Sequence, residues 1–145
     1  MQSVEERQRE MVASFDALPS WQHRYRRIIE LGRELAPIDE QYRVDRFRVK
    51  GCQSQVWLHA TMVDGRVRFQ ADSDASIVRG LVAIVVRIFD GLTPQELVAA
   101  KTTFIDELGL GENLSQTRAM GLAAMIKQMK SYGAVFVALG SKAES

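Results

Sequence analysis

Cys52 is the only cysteine among 145 residues, and it stands in the run Val49-Lys50-Gly51-Cys52-Gln53-Ser54-Gln55-Val56-Trp57. A free cysteine ordinarily packs as a small hydrophobe inside an apolar period. This one is flanked by Gly, Gln, Ser and Lys at a turn between two expected strands, where a rigid scaffold displays reactive groups. Arg43, Arg46, Arg48 and Lys50 precede it, offset by Asp45. Positive neighbours favour the thiolate, which is the nucleophile; the alternative is a solvated basic strand face. One cysteine excludes an internal disulfide. Together with two histidines it falls short of the roughly four soft or imidazole ligands of a zinc or iron–sulfur site. No clustered Asp/Glu loop of the calcium type is present. A peroxidase cycle normally uses a second, resolving cysteine. A cysteine hydrolase needs a base beside the thiol, and the spacing of neither His23 nor His59 brings it there. What remains is a thiol that receives a group and hands it on.

The whole chain fits that modest role. With 46% hydrophobic and 26% charged residues it reads as one globular domain over residues 1–145. Nineteen basic and eighteen acidic residues give a net charge of +1, which makes no electrostatic case for nucleic acid. The longest strongly apolar stretch, Leu81 to Val86, is too short to span a bilayer. The polar start MQSVEERQREM is unlike a signal or transit peptide, so the expected location is the cytoplasm, where a lone cysteine stays a thiol.

The elements that must position Cys52 follow from hydrophobic period. Val4, Met11, Phe15 and Leu18 mark a first helix with Gln8 in the gap. Ser20 caps a second, whose face is Trp21, Tyr25, Ile28, Gly32 and Leu35. Phe47 and Val49, alternating with Arg46, Arg48 and Lys50, predict a strand before the Cys52 turn. Another strand runs from about Ser54 to Val63, and Asp64-Gly65 is a hairpin signal. A two-residue turn there pairs Val63 with Arg66, Met62 with Val67, Ala60 with Phe69 and Leu58 with Ala71. It leaves Thr61 opposite Arg68 and His59 opposite Gln70 on a polar face. Asp72-Ser73-Asp74 is read as capping an apolar helix, Ile77 to Phe89, in which Gly80 permits close backbone approach. Gly91 stops that helix, and Thr93-Pro94-Gln95-Glu96 reads as a capping box. A short segment around Phe104 to Leu108 and a final helix from about Ser115 to Leu139 complete an α+β, two-layer architecture: a small antiparallel sheet packed against helices.

Gly51-Cys52-Gln53-Ser54-Gln55-Val56-Trp57 resembles the active-site motif of the SufE family of cysteine-desulfuration proteins. Trp21, Tyr25, Ile28, Ile29, Leu31-Gly32 and Leu35 resemble its N-terminal helix. Asp72-Ser73-Asp74-Ala75 followed by Ile77-Val78-Arg79-Gly80-Leu81 resembles its central helix entry. Thr93-Pro94 and Leu114-Ser115 through Arg118, Gly121 and Leu122 fit its C-terminal half, so that about residues 5 to 130 are covered. Ala119 and Met120 depart from the polar residues often found there. The resemblance implies a fold shared with IscU-type scaffolds and a sulfur relay. A SufS-type, pyridoxal-phosphate-dependent cysteine desulfurase passes sulfur to Cys52 as a persulfide, and Cys52 delivers it toward an iron–sulfur assembly scaffold. The pyridoxal phosphate belongs to the partner, so no cofactor is expected in this chain. Gly51, Gln53, Ser54, Gln55, Trp57, Asp74 and Arg118 are the expected loop-shaping or partner-facing residues. The alternative is a passive module that docks on the desulfurase and activates it without covalent transfer.

Overall fold

The computed structural model describes residues 2–144, with side chains described for 2–140. Asp64 and Gly65 both have positive φ, 53° and 78°, the backbone a tight two-residue hairpin turn requires. They join β1 (Val56–Val63) to β2 (Arg66–Ser73) in antiparallel register, with Val63 opposite Arg66, Met62 opposite Val67, Ala60 opposite Phe69 and Leu58 opposite Ala71. The alternation predicts that register, because a slip of one residue would turn Leu58 and Val67 to the wet side. Helix α3 (Ser76–Phe89) lies on the dry face, and Leu81, Val82, Ile84, Val85, Ile88 and Phe89 are all buried.

Helix α1 (Val4–Asp16) buries Val4, Gln8, Met11 and Phe15. Gln8 fills the gap in its apolar stripe by donating to the Lys101 carbonyl at 2.8 Å, which satisfies the amide inside the core. Helix α2 (Trp21–Glu34) starts at Ser20, whose hydroxyl accepts the His23 N–H at 3.3 Å. It crosses α3 where Gly32 faces Gly80. A Cβ on Gly80 would stand 2.1 Å from the Ile28 carbonyl oxygen, so glycine sets how close the two backbones come. The Thr93–Glu96 capping box opens α4 (Pro94–Ala99). Two single-turn helices follow, α5 (Phe104–Glu107) and α6 (Leu110–Asn113), then the long α7 (Gln116–Glu144). Met125, Ile126 and Met129 of α7 join Ile28, Phe89, Leu97 and Phe104 in one core cluster.

Two expectations are corrected. Residues 46–50 do not form a strand. Asp45–Phe47 is a 3-10 turn, with the Phe47 N–H bonded to the Val44 carbonyl and the Arg48 N–H to that of Asp45. Only Arg48 bridges to Trp57, beside a Val49 N–H to Val56 carbonyl bond of 2.9 Å. Apart from that short edge contact, the segment lies over His59 of β1 instead of continuing as a strand. Tyr42 stacks on His59 at 3.5 Å between ring centroids, and Phe47 meets the same imidazole edge-on at 5.1 Å. Alternation in this basic stretch therefore reflects a covering segment. Asp72-Ser73-Asp74 does not cap α3 either. Its N-cap is Ala75, with no side-chain cap bond, because β2 runs through Ser73 and holds Asp72 inside the ladder opposite Trp57.

Candidate functional site

The neck of the Cys52 loop is closed by the Val49–Val56 bond, which leaves residues 50–55 as the displayed segment. Gly51 has φ +94°, a left-handed conformation that glycine adopts without steric cost, and a Cβ there would come within 3.1 Å of Ala124 on α7. The next residue is thereby turned inward against the helix. Cys52 is half-buried, and its thiol donates to the Gly121 carbonyl of α7 at 3.4 Å. Sulfur is a weak donor, so this contact orients the thiol more than it binds it. Asp74 pins the loop's far side. Its Oδ1 accepts the Gln55 N–H at 3.1 Å, and its own N–H reaches the Gln55 carbonyl at 3.3 Å.

Cys52 opens onto a cavity of about 330 Å³, lined by Gln53, Ser54 and Val56 from its own loop and strand, Val78 and Leu81 from α3, and Ser115, Thr117, Arg118, Gly121, Leu122 and Met125 at the start of α7. The floor is apolar and the rim polar. Of the expected residues, Gln53, Ser54 and Arg118 therefore meet at one opening, with Arg118 exposed. Trp57 is 5% exposed but lies on the other face of β1, as strand alternation demands, and does not line the cavity. Gln55 is exposed, and its backbone holds Asp74.

Burial pushes the Cys52 thiol above its ordinary pKa. The sequence leaves open whether the basic neighbours tune the thiol or form a solvated face; in the fold the arginines are engaged elsewhere, and desolvation sets the direction of the shift. Arg43 pairs with Asp72, Arg46 lies over Phe47 at 5.4 Å, and Arg48 is 3.8 Å from Asp45. Neither histidine lines the cavity. His23 sits 2.7 Å from the Ser20 hydroxyl, and His59 is enclosed by Tyr42 and Phe47. Among the described residues, no three His, Cys, Asp or Glu side chains are grouped to hold a metal ion, and no helix is long and apolar enough to cross a membrane.

Sequence spacing alone misses the cavity's far walls. Gly121 lies 69 residues from Cys52, and nothing in either segment's period indicates their meeting. It also misses the setting of Trp57, whose ring carries the Arg43 guanidinium at 4.5 Å.

Fold and site together define an α+β protein that shelters a single thiol on a loop pinned at its neck. The family model for SufE, an Fe-S metabolism associated domain, matches residues 9–133. The chain belongs to that family and so to iron–sulfur metabolism. Among solved structures, the solution structure of a hypothetical protein from Thermus thermophilus superposes with a TM-score of 0.76 at 20% identity, covering 91% of this chain and 96% of that one. That likeness establishes the fold.

Proposed function

We propose that the chain accepts sulfur on Cys52 from a pyridoxal-phosphate-dependent cysteine desulfurase and carries it as a persulfide toward an iron–sulfur assembly scaffold. The observation that carries this reading is the half-buried Cys52 thiol lining an open cavity, on a loop fixed at its neck. Transfer is an exchange at sulfur. The Cys52 thiolate attacks the outer sulfur of the partner's persulfide, a new S–S bond forms on Cys52, and the partner's S–S bond breaks to release its cysteine thiolate. The outer sulfur keeps its proton, and the Cys52 proton leaves before attack. Burial disfavours that loss at rest, so the resting thiol is quiet. Drawing Cys52 out of the cavity removes the desolvation and frees the nucleophile. On its return the cavity shields the terminal sulfur from stray thiols. Gln53, Ser54 and Arg118 at the rim meet the partner.

Intact-mass analysis after incubation with a desulfurase and free cysteine tests the proposal. One sulfur should add to the Cys52 peptide, and Cys52→Ser should gain none. No gain on the unaltered protein would sink the carrier reading. Equal stimulation of the desulfurase by Cys52→Ala, without an external reductant, would select the passive docking module instead.

A further inference from the structure

Behind the loop lies a charge network that the proposed transfer leaves unused. Asp72 is 4% exposed at its side chain and opposes Trp57 in the β1–β2 ladder. Arg43 pairs with its Oδ2, Arg79 stands 3.2 Å from its Oδ1, and the Ser73 N–H donates to Oδ1 at 2.8 Å. Arg79 also donates to the Gly32 and Leu35 carbonyls at 2.8 and 3.2 Å, which ties the end of α2 to the start of α3. One arginine therefore serves both the helix junction and the charge balance of Asp72. Arg43 is a second cation for the same carboxylate, and it comes from the covering segment just before the loop. Its guanidinium lies 4.5 Å over the Trp57 ring, and Trp57 bridges Arg48 immediately beyond the Val49–Val56 neck. The planar fork of arginine suits both contacts at once. It can pair edge-on with a carboxylate while its face rests on an indole, which an ammonium cannot reproduce.

We infer that Arg43 is a positioning residue for the sulfur-accepting loop, acting through Trp57 and Asp72 without touching sulfur. The inference deepens the proposed function and rests on it for the transfer step alone. Exchange at sulfur needs three sulfur atoms nearly in line, so the base of the loop must stay fixed while its tip moves into the partner. A base held in advance by Asp72 and the indole spares that ordering during transfer.

The test uses the full chain with Arg43→Ala and Arg43→Lys, in a Trp21→Phe background so that emission reports Trp57 alone. Four quantities are read: Trp57 fluorescence, the rate of Cys52 alkylation by iodoacetamide without any partner, and the maximal rate and half-saturation of persulfide transfer from a desulfurase. Arg43→Ala should shift the emission, speed alkylation about threefold as the loop loosens, and lower the maximal transfer rate about tenfold with little change in half-saturation. Arg43→Lys keeps the charge beside Asp72 and so the thermal midpoint, but should show the same three changes; it alone decides if Arg43→Ala does not fold. Wild-type alkylation and transfer in the variants, whatever their midpoints, would overturn the inference and leave Arg43 a purely structural ion pair. Full rescue by lysine would do the same. Slower transfer with unchanged emission and alkylation would also overturn it, assigning Arg43 to the partner surface. If the unaltered protein takes up no sulfur, the proposed function fails, while emission and alkylation still report on the clamp.

Discussion

The reactivity of Cys52 is decided by competition between burial and charge. A basic approach segment argues for thiolate, yet the folded chain turns Arg43, Arg46 and Arg48 onto Asp72, Phe47 and Asp45, and half-buries the sulfur against α7. Desolvation therefore raises the thiol's pKa. The sign is direct: at a given neutral pH the folded protein holds less thiolate than an unperturbed cysteine of pKa about 8.5. Iodoacetamide alkylation followed from about pH 7 to 10 should show a midpoint above that of the urea-unfolded chain. A folded midpoint at or below the unfolded one would mean that charge wins after all. The motif Gly51-Cys52-Gln53 is legible from the sequence, since polar neighbours at a turn mark the thiol as displayed. Its protonation is not legible, because that depends on where three arginines point.

At the scale of elements, the crossing of α2 and α3 is the tightest constraint. A Cβ on Gly80 would lie 2.1 Å from the Ile28 carbonyl oxygen and 2.5 Å from its Cγ2. Gly80→Ala gains about 1 kcal/mol of helix propensity, but overpacking of this severity costs about 3 kcal/mol or more. A net loss of about 2 kcal/mol is expected in urea unfolding, whereas Gly140→Ala, with nothing within 4 Å, should be neutral or stabilising. A Gly80→Ala protein as stable as the parent would show that the helices separate at little cost. Local chemistry made several elements readable: Asp64-Gly65 set the hairpin register, and Thr93 with Glu96 set the start of α4. The strand expected at 46–50 failed because period-two alternation also fits a segment laid over a strand, where Tyr42 and Phe47 cover His59. The acids 72–74 misled for a similar reason. Composition suggests a cap, but register places Asp72 inside the strand, before the helix begins.

For the molecule as a whole, this covering segment ties stability to pH. Burial lowers the pKa of His59 beneath Tyr42 and Phe47. The folded chain thus binds the imidazole proton less well than the unfolded chain does. Its stabilising contribution is present above the unfolded value of about 6.5 and is lost as pH falls through the lowered folded pKa. The thermal midpoint should decline through that window, and His59→Gln should flatten the decline; parallel curves for the two proteins would exclude His59 as the source. Glu96, held low by its bonds to Thr93, contributes in a separate and more acidic window. The fold class was legible because period and turns are local, whereas the cavity was not, because α3 and α7 reach it from distant parts of the chain. The thiol's contact with the Gly121 carbonyl has a practical consequence in a chain with one cysteine. The protein contains a single S–H oscillator, vibrating in a quiet region of the infrared spectrum and shifted by its acceptor. Departure of the loop from α7 would move that band, and loading with sulfur would replace it, so both events can be followed without a label.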